Sequence, residues 1–130
     1  RLEGSLVKVD RDGDKAFVLR GDKGALGSAV EDDRVRMLPM FDAYTISGLP
    51  HDNVVPKKHK DLVLRKGAWV SQVVARGGRI AGVWTNETKS GKTSVTVRFF
   101  HKKVASKKEL LDALGPMTPF IGEDVSLTVA

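Results

Sequence analysis

The sequence predicts a mainly β, α+β fold, specifically an antiparallel, barrel-like domain of six or seven strands with two short helices. Three observations carry that expectation. Short apolar runs recur along the chain between Gly- and Asp-rich turns, the pattern of a β domain rather than of alternating strand–helix units. Gly77-Gly78 lies between two apolar runs and suits a two-residue hairpin turn. Helix start signals stand at Pro56 and Ser106.

In chain order, Leu6 to Val9 and Lys15 to Leu19 read as a first hairpin about the turn Asp10-Arg11-Asp12-Gly13-Asp14. The stretch Gly21 to Gly27 reads as a loop with a short helical turn, since its glycine spacing is not that of a dinucleotide-binding loop. Val35 to Leu38 is strand-like and Pro39 ends its pairing. Phe41 and Tyr44 are expected to pack inward, and Asp42 to act as a turn acceptor. Pro56 at a first helical position predicts a helix over Lys57 to Lys66. Lys57, Lys58 and Lys60 then crowd its first turn, where the helix dipole is already positive and a phosphate would relieve the repulsion.

Trp69 to Arg76 and Arg79 to Thr85 form the clearest hairpin, with Ala75 against Ile80, Val73 against Gly82 and Ser71 near Trp84 on one face and Val74 opposite Ala81 on the other. Both faces are largely apolar, so Trp69 and Trp84 are both expected to be buried. A loop over Asn86 to Lys92 leads to a strand over Thr93 to Phe100, with Val95, Val97 and Phe99 on one face. Ser106-Lys107-Lys108-Glu109 is a capping box, Leu110, Leu111 and Leu114 form the apolar stripe of its helix, and Gly115-Pro116 is a stop signal. Val125, Leu127 and Val129 alternate with polar residues in a last strand.

A chain of 130 residues fits a single domain with a real core. No apolar run approaches the length of a membrane span, which implies a soluble protein with no membrane partner. Without cysteine, disulfides, thiolate catalysis and Cys-based zinc sites are excluded, and a cytoplasmic location is expected. The opening Arg1-Leu2-Glu3-Gly4 has neither an initiator Met nor a signal peptide, which predicts a domain excised from a longer protein. The net charge of +6 is unevenly spread: residues 1–50 carry 8 Lys/Arg against 9 Asp/Glu, residues 51–108 carry 14 against 3, and residues 109–130 carry none against 4. A segment with a net charge of +11 suggests a face directed at a polyanion.

Catalytic signals fail on inspection. Asn86 to Thr93 ends in Gly-Lys-Thr like a phosphate-binding loop, but Asn86 stands where its first glycine belongs and a strand follows in place of a helix. His51, His59 and His101 lack metal-ligand spacing, and each reads as a surface or partly packed histidine. No catalytic residue, metal site or cofactor is assigned.

Arg34-Val35-Arg36-Met37-Leu38-Pro39-Met40-Phe41-Asp42, Val55-Pro56-Lys57-Lys58-His59-Lys60, Gly67-Ala68-Trp69-Val70 and Gly78-Arg79-Ile80-Ala81-Gly82-Val83-Trp84 follow one another in register. Together they resemble the C-terminal part of the winged-helix DNA-binding family that includes the AlkZ/YcaQ-type DNA glycosylases, over roughly residues 2 to 128. That resemblance implies a C-terminal β-barrel domain whose partners are duplex DNA and the N-terminal winged-helix domains of its own parent chain. It also implies that the catalytic Gln-x-Gln or Gln-x-Asp motif lies N-terminal to this segment, whose only glutamine, Gln72, is on an expected strand. The expected function is that of a non-catalytic accessory domain touching the DNA backbone, the alternative being a structural packing module with no ligand of its own. Candidate phosphate contacts are Lys57, Lys58, Lys60, Arg65, Lys66, Arg76, Arg79, Lys89, Lys92, Lys102 and Lys103.

Overall fold

Residues 4–11 and 13–130 are described by a computed structural model, in which the chain divides into two units, residues 1–31 and 32–130. In the first unit β1 (Leu6–Arg11) pairs antiparallel with β2 (Asp14–Leu19), with Leu6 opposite Leu19. Asp10 Oδ1 accepts a hydrogen bond from the Gly13 amide at 3.0 Å, the Asx bond that favours Asp in such a turn. Asp12, part of the expected turn, lies outside the described residues, as do Arg1, Leu2 and Glu3. A 3-10 turn over Arg20–Asp22 and α1 (Lys23–Gly27) follow, matching the short helical turn expected there.

The second unit is built on a five-stranded sheet. Its strands are β3 (Val35–Leu38), β6 (Val73–Arg76), β7 (Arg79–Lys89), β8 (Lys92–Phe99) and β9 (Val125–Val129), neighbours in that order. Between β3 and β6 the chain forms α2 (Ala43–Gly48), a 3-10 turn over Lys57–His59, α3 (Lys60–Val63) and a small ladder of β4 (Leu64–Arg65) with β5 (Trp69–Val70). Between β8 and β9 lie α4 (Lys107–Leu114) and α5 (Thr118–Ile121). Among the described residues, nine strands, the two-turn helix α4 and four shorter helices therefore replace the six or seven strands and two helices expected.

The sheet is open rather than barrel-like: β3 and β9 are its edges, and no pairing joins them. The reason lies at the last strand. β9 runs parallel to β8, and a parallel neighbour requires a crossover, here residues 100–124 with their helical stretch 107–121, instead of a tight turn back toward β3. The remaining ladders are antiparallel. Burial on two sides comes from coverage. One face packs Met37, Val74, Trp84, Val95, Val97 and Leu127 against Ala105, Leu110 and Leu114 of the crossover; the other packs Val73, Ala75 and Ile80 against Val55 and Val63.

Gly77 (φ 56°) and Gly78 (φ 72°) both adopt the left-handed conformation that the expected two-residue turn requires. Arg76 pairs with Arg79 and Ala75 with Ile80 as the pattern implied, but beyond them the register shifts, so that Val74 lies opposite Gly82 and Val73 opposite Val83. Ala81 is the extra residue of a β-bulge. This bulge reverses the phase of the strand, so Ile80 and Trp84, an even number of residues apart, enter opposite cores. Gly82 is required by the close approach of β8. A Cβ there would lie 2.5 Å from the Arg98 carbonyl oxygen and 3.0 Å from Phe99 Cα on β8.

Other expectations are corrected by packing. Trp84 is buried and its indole donates to the Leu38 carbonyl at 3.0 Å, whereas Trp69 is 47% exposed and meets Phe41 edge to face with centroids 5.1 Å apart. Phe41 and Tyr44 are also exposed, not inward. Asp42 caps α2 by accepting from the Tyr44 and Thr45 amides, which agrees with its reading as a turn acceptor. The helix expected over Lys57 to Lys66 is only a 3-10 turn and one α turn, because Val63 goes into the core and Leu64 turns extended to pair with Val70. The strand expected from Trp69 to Arg76 breaks at Ser71-Gln72, where the Ser71 amide and hydroxyl bond back to Val63 and Leu62 carbonyls at 2.8 Å.

The stretch Asn86 to Lys92 is not a loop: β7 and β8 continue to Lys89 and Lys92 around a turn at Ser90-Gly91. The capping box forms as written, with Glu109 Oε2 accepting from the Ser106 amide at 2.7 Å, but Leu111 is partly exposed and the chain stays helical through Gly115-Pro116.

Two substitutions test this packing. Gly82→Ala is expected to cost about 1–3 kcal/mol by forcing β8 away from β7. Trp84→Ala is expected to cost about 3–5 kcal/mol, against under about 1 kcal/mol for Trp69→Ala. Urea melts read each cost, and equal losses for the two tryptophan variants would contradict the two-core arrangement.

Candidate nucleic-acid interface

The basic residues of the second unit fall into separate groups. β7 fixes the largest separation: Arg79 begins it, Lys89 ends it, and an extended strand of 11 residues spans roughly 33 Å. Near its start, the Ile80 amide donates to the Val54 carbonyl at 2.8 Å and the Phe100 amide to Ala81 at 2.9 Å. These bonds bring the segment leading to Lys57 and Lys58, and the segment leading to Lys102 and Lys103, to the Arg79 end of the sheet. All five side chains are exposed, and none has an ion-pair partner among the described residues. Lys60, on the same turn as Lys58, is instead held by Asp52 at 2.6 Å, and that ammonium lowers the Asp52 pKa.

The same end holds a contact that sequence gave no sign of. His59 Nε2 lies 3.3 Å from His101 Nε2, and the His59 ring stacks on Phe100 with centroids 4.3 Å apart. Their separation of 42 positions leaves no local pattern to read.

A second group surrounds a cleft of about 370 Å³ lined by Arg65, Arg98, Trp69, Asp61, Gln72 and Thr96 among others. Arg65 and Lys66 also flank a shallower depression beside Trp69. Arg98 was not among the residues singled out from sequence, although its place on the polar side of an alternating strand could have suggested it. Gln72 donates to Asn86 Oδ1 at 2.8 Å, between β5 and β6 rather than on a strand. A third group, Lys89 and Lys92, flanks the far hairpin tip, with Lys89 2.8 Å from Glu87 and Lys92 4.0 Å from Asp124.

Arg76 lies at the Arg79 end, opposite Arg79 across the hairpin, but its charge is engaged within the fold. Its guanidinium makes a two-point pair with Asp33, at 3.0 Å from Nε and 2.8 Å from Nη2, and its Nη1 donates to the Val104 carbonyl and approaches Glu109 at 3.4 Å. One side chain thus ties β6 to the segment before β3 and to the capped start of α4. Hydrogen bonding from Arg76 lowers the Asp33 pKa, and the Ser106 amide, then its hydroxyl, lower that of Glu109. Arg34, then Arg36, hold Asp32 well below the carboxylate range. Among the described residues no three His, Asp or Glu side chains converge on a point that could hold a metal, and no helix is long and apolar enough to cross a membrane.

Carboxylates with lowered pKa stabilise the fold above their unfolded values near pH 4 and lose that contribution as pH falls through the folded ones. Replacing Arg76 with Met is therefore expected to lower the urea midpoint at neutral pH and to make its decline below about pH 4 shallower. Melts across that range check both effects; a parallel offset at every pH would mean that Arg76 does not set these carboxylates.

A family model described as DNA glycosylase AlkZ-like matches residues 1–120. The interstrand DNA cross-link repair glycosylase of Streptomyces sahachiroi is 36% identical over 80 residues, which are 61% of this chain and 22% of that protein. The solved structure of the Streptomyces sahachiroi DNA glycosylase AlkZ superposes with a TM-score of 0.83 at 27% identity, over 99% of this chain and 34% of that one. The chain thus spans about a third or less of the length of these relatives.

Proposed function

The chain belongs to the AlkZ-like DNA glycosylase family, and on that premise we propose that it is the C-terminal, non-catalytic accessory domain of a winged-helix DNA glycosylase-like protein, where it holds the backbone of duplex DNA. The observation that carries this reading is the unpaired cationic end of the sheet, where Lys57, Lys58, Arg79, Lys102 and Lys103 reach solvent without carboxylate partners among the described residues. Phosphates are what such a surface attracts, through charge and counterion release, with no sequence readout. Arg65, Lys66, Lys89 and Lys92 lie on other parts of the sheet and serve as outlying contacts. Lys60 and Arg76, held by carboxylates, act on the fold and not on DNA.

The non-catalytic assignment rests on the side chains present. The only glutamine is Gln72, engaged by Asn86, and the base-removing chemistry belongs in this reading to the part of the parent protein outside these 130 residues.

A packing role has its own support. Phe41 holds a φ of 57°, a conformation that costs a bulky side chain on the order of 1–3 kcal/mol, and it presents an exposed aromatic face with Trp69, near exposed Met40 and Leu64. We assign that apolar surface to contact with the winged-helix part of the parent chain. In the complete protein, Trp69→Glu is expected to loosen that contact, read as faster protease cleavage between the two parts, while the isolated domain keeps its melting midpoint.

For the DNA reading, the domain is expected to bind short duplexes weakly and without sequence preference, its affinity falling steeply with salt. Changing Lys57, Lys58 and Lys102 to Glu should lower affinity and flatten the log–log salt slope by about 2–3, whereas Lys8, Lys15 and Lys23 to Glu should change it far less. Fluorescence anisotropy at two salt concentrations measures both; equal losses in the two triple variants would remove this surface from the account.

A further inference from the structure

His59 is held from both sides. Its ring lies flat on Phe100, 10° from parallel, and Phe100 packs against the core around Val73 and Ile80. The His101 ring meets it at 74°, with the two Nε2 atoms 3.3 Å apart. Facing ring nitrogens at this distance share one proton, because one Nε2–H must donate and the other nitrogen must accept. A second proton removes the acceptor and sets two charges face to face.

The surroundings sharpen that conflict. Lys57, Lys58 and Lys60 lie on the same turns as His59, and Lys102 and Lys103 follow His101; the carboxylate of the group, Asp52, is taken by Lys60. Burial, then His101, then Lys58 hold the His59 pKa below its ordinary value. The ammonium charge beside the pair, that of Lys58 on His59, disfavours a cation there. An anionic oxygen seated against both Nε2 atoms would instead let both rings donate, and its charge would offset the repulsion.

We propose that His59 and His101 form a proton-linked phosphate site, in which a DNA phosphodiester oxygen accepts a hydrogen bond from each Nε2. This rests on the duplex-contact reading above. The ring that was the acceptor takes a proton from solvent as the phosphate arrives; no bond of the phosphate changes. Because the bound anion favours a proton on the ring beside it, the complex holds more protons than the free protein, and affinity rises as pH falls through the histidine range, by at most about tenfold per pH unit for each proton taken up. Lysine and arginine do not titrate there.

The experiment is anisotropy titration of a fluorescein-labelled duplex at constant salt at about pH 8 and about pH 6, with the wild-type chain, His59→Gln, His101→Gln and, as control, His51→Gln. Wild type and the His51 variant are expected to tighten by about three- to tenfold at the lower pH, and each of the other two variants to lose that gain. NMR titration of the imidazole nitrogens in the wild type, with and without duplex, reads the same linkage without any substitution: both rings should move to higher pKa on binding. Salt-dependent binding with no pH dependence, a gain that survives in both variants, or imidazole pKa values unmoved by duplex would overturn the histidine site and leave the lysine contacts standing. Failure to bind at either pH in low salt would overturn both readings.

Discussion

One extra residue in β7 decides how the second unit is built. The turn at Gly77-Gly78 sets the pairing of β6 with β7, and the bulge at Ala81 then changes which side of the sheet the strand presents. Ile80 enters the core shared with Val55 and Val63, while Trp84 enters the one covered by α4. Without the bulge both would project to one face and the other core would lose a large side chain. Gly82, beside the bulge, allows β8 to come close enough to complete the sheet. The bonds that follow, Ile80 to Val54 and Phe100 to Ala81, place the lysine-bearing segments at one end.

Electrostatics divides the same basic segment into two kinds of cation. Arg76 and Lys60 are engaged by carboxylates, Asp33 and Glu109 in one case and Asp52 in the other, and work within the fold. Lys57, Lys58, Arg79, Lys102 and Lys103 face solvent. Charge counting cannot make this division. For Arg76 it depends on carboxylates 43 and 33 positions away, brought close only by the pairing of β3 with β6 and the docking of α4.

What was legible in the sequence was local. The Gly77-Gly78 turn, the Ser106 capping box, the alternation of Val95, Val97 and Phe99 and the turn role of Asp42 each rest on a few adjacent residues, and each is present. What was not legible depended on partners distant in sequence. Alternation in Val125, Leu127 and Val129 says that a strand forms but not that it runs parallel to β8, and with that direction went the expected barrel. Trp69 and Phe41 read as core from their chemistry, yet they meet each other at the surface. The segment after Pro56 carried helix signals that the burial of Val63 and the pairing of Leu64 cut short. The histidine pair joins two segments that only the sheet brings together, and the family motifs containing His59 do not include its partner.

The central claim is that the Arg79 end of the sheet is the surface that holds duplex DNA, and the most direct measurement is an amide NMR map of the domain titrated with a short duplex at low salt. The account predicts that the largest shifts fall on Lys57, Lys58, His59, Arg79 and His101 to Lys103, with little change along β9 or on the exposed side of α4. Shifts concentrated around Phe41 and Trp69, or none at all, would contradict it and leave the domain as a packing module of its parent.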